Sequence, residues 1–234
     1  MEDGKGMINI IYEDNHLLIV EKPINMPVQA DSSNDKDLLS LLKEYIKNKY
    51  KKPGNVYLGL IHRLDRPVGG IMVFAKTSKA ASRLSEQIKN HKFKKSYYAV
   101  VEGKINEEGK FIDRLLKNYQ SNTTKVSEDG KIAKLSYKLV ECKDNLSLVD
   151  INLETGRSHQ IRVQFSSRGF PLVGDQFSYH GYPLYGDQKY NKNAVKDQIA
   201  LFAYRLEFTH PITKEIVSFE LSKPERYPFS LFLV

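Results

Sequence analysis

Apolar residues in this chain come in short runs, rich in Ile, Val, Leu and Tyr and cut off by Gly, Pro, Asn or Asp. That pattern commits most of the chain to β-strands. The runs cover residues 8–12, 16–21, 57–61, 71–75, 97–101, 132–142, 146–153, 199–208 and 216–221. The first two flank the polar turn Glu13-Asp14-Asn15 and read as a hairpin, and the last two flank His210-Pro211-Ile212-Thr213-Lys214 in the same way. Helical spacing is found in three places. Leu38, Leu39, Leu41, Leu42, Tyr45 and Ile46 recur behind acidic residues suited to a helix start. A second helix runs from Ser78, its candidate cap, to about Asn90. A third spans residues 158–168 and stops at Gly169, with Ile161 and Phe165 on one face and His159 and Arg162 sharing another. Residues 103–131 hold few apolar residues after Leu116 and predict an excursion ending in an exposed turn at Glu128-Asp129-Gly130. No composition shift marks a linker. The expectation is an α+β fold in one domain, 1–234, with a mixed, mostly antiparallel central sheet and two or three helices packed on it.

What surrounds such a sheet is narrowed by composition. The 234 residues suffice for a sizeable core, and 41% hydrophobic against 27% charged is ordinary globular usage. No apolar run approaches the 18 or so residues of a membrane span, and the first residues lack a basic stretch followed by an apolar one. Membrane insertion and secretion are not expected. The single Cys142 excludes an intrachain disulfide and a cysteine cluster for zinc, which fits a cytoplasmic setting. The net charge of +8 is unevenly placed: residues 43–117 carry 18 basic against 7 acidic residues. Lys43, Lys47, Lys49, Lys51 and Lys52 form one cluster, and Lys89, Lys92, Lys94 and Lys95 another, with tyrosines between them. Such clusters fit a polyanion, and they equally fit solvated lysine-rich faces.

No P-loop, dinucleotide-binding glycine fingerprint or His-Glu-x-x-His is present, and the six histidines lack ligand-like spacing, so neither cofactor nor metal is expected. Two charged groups remain. His62-Arg63-Leu64-Asp65-Arg66 follows an apolar strand, where a carboxylate leaving the sheet can point into a cleft. The bland alternative is a turn residue capping backbone amides or pairing with Arg66. Thr155-Gly156-Arg157-Ser158-His159-Gln160-Ile161-Arg162 opens a helix whose amides favour anions, and its bland reading is capping by Ser158 beside exposed arginines. One short repeat also stands out. Residues 169–176, Gly-Phe-Pro-Leu-Val-Gly-Asp-Gln, recur at 181–188 as Gly-Tyr-Pro-Leu-Tyr-Gly-Asp-Gln, which reads as a local duplication in a loop, with one copy dispensable to the core.

In combination these motifs resemble the RluA-type family of RNA pseudouridine synthases. The resemblance rests on Ile11-Tyr12-Glu13-Asp14, Val20-Glu21-Lys22-Pro23, His62-Arg63-Leu64-Asp65-Arg66, Lys95-Ser96-Tyr97, Gly156-Arg157-Ser158-His159-Gln160-Ile161-Arg162 and Phe208-Thr209-His210-Pro211. It spans about residues 8–221 in the family's order. Gly69-Gly70 stands where Ser-Gly is common, Phe202 where histidine is common, and the repeat where the family has one copy. Many relatives carry an N-terminal S4-type RNA-binding domain, and none is expected here.

The resemblance implies isomerisation of uridine to pseudouridine in structured RNA, ribosomal or transfer, by a monomer without cofactor or metal. It implies Asp65 as the catalytic carboxylate, acting as nucleophile or base, Arg162 as its pairing arginine, and Tyr97 stacked on the detached uracil near its C5 proton. A base must leave its stack to react, and Arg63 would brace the vacated position. His62, Lys22, Arg157, His159, Lys92, Lys94 and Lys95 would contact RNA, phosphates above all. Two other functions fit less well. A silent RNA-binding protein on the same fold would tolerate loss of Asp65, and a carboxylate-dependent hydrolase needs a second carboxylate that the motifs do not offer.

Overall fold

A computed structural model describes residues 8–31, 33, 35–175 and 199–233. Among them are eleven strands and three α-helices, the α+β class that the apolar runs predict. By contacts the chain divides into two compact units, Met1–Phe93 with Leu206–Glu220, and Lys94–Arg205 with Leu221–Val234.

The first unit begins with the predicted hairpin, β1 (Asn9–Glu13) antiparallel to β2 (Leu17–Lys22). Asp14 shapes its turn by accepting from the backbone N–H groups of His16 and Leu17, at 2.7 and 2.6 Å. Helix α1 (Leu38–Lys49) buries Leu38, Leu42 and Ile46, and Asp37 caps it by accepting from Ser40 N–H. The predicted strand at 57–61 shrinks to β3 (Gly59–Leu60), which pairs with β4 (Gly69–Ala75). All seven residues of β4 are buried, as expected of a strand covered on both faces. Helix α2 (Ser78–Lys89) is capped by Thr77, whose hydroxyl accepts from Ala80 N–H, not by Ser78 as its sequence predicts. Strands β10 (Leu201–Thr209) and β11 (Ile216–Glu220) give their 206–220 portion to this unit, whose strand order is β1-β2-β4-β10 with β11 on β10. Glu13 is the polar knot. It accepts from Tyr45 and Lys49 of α1, from Tyr50 and from Lys76 after β4. Partial burial opposes its ionisation, but these donors outweigh that and draw its pKa down to about 2.

In the second unit the strand order is β10-β5-β9-β8-β6-β7, where β5 is Lys94–Glu102, β6 Glu108–Asn118, β7 Thr123–Val126, β8 Lys131–Lys143 and β9 Leu146–Leu153. Here the sequence misleads. The segment expected to be an excursion is an antiparallel meander, β6 against both β7 and β8. Its period-2 pattern buries only Phe111 and Leu115 of β6, so the strand carries too few apolar residues to read as one. Phe111 joins Tyr137 and Phe165 in an aromatic cluster, with the Arg168 guanidinium 4.1 Å above the Phe111 ring. Helix α3 (Gln160–Ser166), shorter than the 158–168 expected, is buried along its length and packs beside β6 and β7. A short 3₁₀ helix, Phe229–Phe232, closes a second cluster with Val100, Leu148, Phe202 and Tyr204. The second repeat copy, 181–188, lies outside the described residues.

Candidate active site

In the first unit, Asp65 sits half-buried in the turn that leaves β3 and enters β4, its carbonyl accepting from Val68 N–H at 3.0 Å. Four neighbours hold that turn. The His62 ring accepts from Val73 N–H of β4 at 3.2 Å and lies 5.7 Å from the Phe93 ring, which gives it a structural task. Arg66 reaches Ser33, Asp31 and Asp35 with its guanidinium. Gly69 lets β4 approach β2, since a Cβ there would lie 3.0 Å from Ile24 Cγ2 and 3.3 Å from Lys22 O. The fourth neighbour is Lys22, 1% exposed, whose ammonium donates to the carbonyls of Pro23, Met26 and Arg66 at 2.8, 2.8 and 3.0 Å.

This corrects the expectation that Lys22 contacts phosphate. An ammonium has three protons to donate, and all three are spent inside the protein. Burial, opposed by the Asp65 carboxylate and aided by Arg66, brings the Lys22 pKa down to about 7. Lys22 is thus close enough to Asp65 for their charges to interact. Arg63, by contrast, is exposed.

Tyr97, Arg162, Arg157, His159 and Lys95 belong to the second unit. Tyr97 is 6% exposed and points to the inner side of β5, while Tyr98 points the other way and stacks on Tyr204 with centroids 3.9 Å apart. The Tyr204 hydroxyl donates to Asp150. Arg162 is buried and grips Asp175 in a fork, Nε to Oδ1 and Oδ2 at 3.0 and 2.9 Å and Nη2 to Oδ1 at 2.6 Å. Sequence reading missed Asp175, although its Gly-Asp-Gln context occurs in both repeat copies.

Ser158 does not cap α3. His159 stands at the cap position in a left-handed conformation, φ 52°, and makes no capping bond with its side chain. Gln160, the first residue of the helix, instead ties down the loop that precedes it. Its Oε1 accepts from Thr155 Oγ1 and Arg157 N–H, and its Nε2 donates to Lys134 O and Gln164 Oε1. Gln164 in turn donates to Asp113, which also pairs with Arg168. Sequence reading assigns these glutamines no role, because nothing in their type announces burial. Arg157 is exposed, with Nε donating to Ile132 O. Lys92 and Lys94 are exposed as a phosphate-facing cluster requires, but Lys95, on the opposite side of β5 from Lys94, is buried. Lys95 therefore does not share the exposed face of Lys92 and Lys94.

Residues 16–167 match the family model described as RNA pseudouridylate synthase. The chain is 34% identical to an uncharacterised RNA pseudouridine synthase, YhcT, of Bacillus subtilis, over 94% of this chain and 70% of that protein. It is 35% identical to a ribosomal large subunit pseudouridine synthase D of Zymomonas mobilis, over 93% and 70%. Among solved structures, human RNA pseudouridylate synthase domain containing 4 matches with a TM-score of 0.77 at 21% identity, covering 96% of this chain and 92% of that one.

Proposed function

The chain belongs to the RNA pseudouridylate synthase family and is an isomerase of that kind; from that premise we propose that it converts uridines of large-subunit ribosomal RNA to pseudouridine, with Asp65 as the catalytic carboxylate. The observation that carries the proposal is the architecture of the Asp65 turn. A carboxylate half-exposed at a strand end is braced by Lys22, His62, Arg66 and the closely packed Gly69. Rigid support of one reactive group is what positional catalysis requires. The ribosomal substrate is supported by the name of the Zymomonas relative.

The isomerisation breaks the N1–C1′ bond, turns the uracil, joins C5 to C1′ and releases the C5 proton to leave N1 protonated. Nothing is oxidised and no atom is gained. Asp65 must be ionised whether it attacks C1′ or takes a proton from the ribose. Tyr97 supplies an aromatic face for the freed base and a hydroxyl for the proton at C5. Arg162 adds a fixed cation, itself oriented by Asp175. Arg63, exposed two residues before Asp65, fills the stack that the flipped nucleotide vacates.

The test uses large-subunit ribosomal RNA and transfer RNA transcribed without modifications. Pseudouridine is mapped in each after incubation with the protein. Pseudouridine at defined ribosomal positions, absent with Asp65→Asn, supports the proposal. Modification of transfer RNA alone refutes the ribosomal assignment, and full activity of Asp65→Asn refutes the carboxylate's role.

A further inference from the structure

Lys95 is the one member of its lysine-rich stretch that the fold turns inward. The alternation of β5 sends Lys94, Ser96 and Tyr98 to one side and Lys95, Tyr97 and Ala99 to the other. Lys95 keeps 7% of its surface, while its neighbours Lys92 and Lys94 stay exposed. Among the described residues its ammonium has no hydrogen bond and no ion pair. Burial alone lowers its pKa, and no carboxylate contributes. Yet the ammonium is not sealed in. It reaches the exposed Gly156 of the Thr155–His159 turn, where a Cβ would stand 3.2 Å from Nζ.

A desolvated cation without a partner costs stability, and a methionine of similar volume would fill the same space without that cost. Among the described residues no anion answers this charge, and one brought by a ligand would. It has an approach, because Gly156 has no side chain to close the gap above the ammonium. It also has a neighbour, because Lys95 and Tyr97 project from the same side of one strand two residues apart. RNA offers one full negative charge per nucleotide at its phosphate, whereas a uracil carbonyl is neutral and returns only an ordinary hydrogen bond.

We propose that Lys95 is a phosphate-binding residue beside Tyr97, receiving a phosphate oxygen of the nucleotide that Tyr97 engages, with Gly156 keeping the approach open. The proposal rests on the RNA-isomerase reading above. It separates Lys95 from Lys92 and Lys94: those two attract RNA from the surface, and Lys95 grips one phosphate at a single position.

The experiment compares the full chain with Lys95→Met and, as a surface control, Lys94→Met. Melting temperature is followed with millimolar uridine 5′-monophosphate, with uridine, and without ligand, and affinity is measured for a uridine-containing RNA hairpin. The expected result is a Lys95→Met protein that melts no lower than the unsubstituted chain. It binds the hairpin at least tenfold more weakly and has lost the stabilisation by the monophosphate, while Lys94→Met keeps that stabilisation. A Lys95→Met protein that melts several degrees lower or fails to fold marks the lysine as structural and overturns the proposal. So does equal stabilisation of the unsubstituted chain by uridine and by its monophosphate, or an unchanged response in Lys95→Met. Nucleotide binding is read without turnover, so this outcome stands apart from whether pseudouridine forms.

Discussion

Lys22 and Lys95 are both buried lysines, one in each unit, and they differ in what surrounds the charge. Lys22 ends among three carbonyls and completes the turn that carries Asp65. Lys95 ends beside an exposed glycine with no partner among the described residues. The first is finished by the protein and the second waits for a ligand. Burial of a charged group therefore says nothing about its role until its donors are accounted for, which is why the two residues predict opposite responses to the same substitution.

The comparison is broken most directly at the residue that Lys22 supports. Asp65→Asn should reduce pseudouridine formation at least a thousandfold while hairpin affinity stays within a few fold. A parallel loss of binding would mean that the Lys22 region holds RNA instead of doing chemistry on it. Next in size is Lys22→Met. It leaves three buried carbonyls without their donor, at a cost of about 3 kcal/mol or more, or a melting temperature about 6–12 °C lower. Denaturant unfolding checks this beside Lys95→Met. If both variants melt alike, the distinction between a satisfied and a waiting lysine is gone.

Glu13 sharpens the picture of the first unit as the self-satisfied one. Its pKa of about 2 in the folded chain lies below the ordinary 4.3 or so of an unfolded glutamate. The stability it contributes is thus fully present above about pH 4.5 and is lost as pH falls toward 2. Glu13→Gln should cost about 1–3 kcal/mol at pH 7. The gap between the two proteins should close between pH 4.5 and 2 in acid titrations of unfolding, and a gap independent of pH would show that packing, not charge, is lost. The smallest effect belongs to the surface. Replacing Lys92 and Lys94 with alanine should weaken hairpin binding modestly and reduce the slope of log affinity against log salt by about 1.4–1.8, from 0.7–0.9 per contact. An unchanged slope would place these lysines away from the RNA.

Much of this molecule was legible as local pattern. The β1-β2 hairpin, the apolar stripe of α1 and the β8 and β9 strands follow from residue spacing, because period 2 and period 3.6 are properties of the chain itself. The motif around Asp65 was legible too, since a strand, a dense charged turn and a second strand are contiguous. The β6-β7 meander was not, because a strand whose inward face buries only Phe111 and Leu115 carries too few apolar residues to announce itself.

What the amino-acid order settled, then, was the set of elements and the residues able to do chemistry. Only the tertiary structure decided which of those residues meet solvent. In sequence, Lys22, Lys92, Lys94 and Lys95 are the same side chain, four methylenes and an ammonium. Strand pairing turned Lys95 inward and Lys94 outward, and the approach of the Arg66 carbonyl, 44 residues away, enclosed Lys22. The same holds for Arg162, whose partner Asp175 arrives from beyond the end of α3. A charge's fate depends on the groups that distant segments bring within 3 Å of it, and no local period in the sequence encodes that distance.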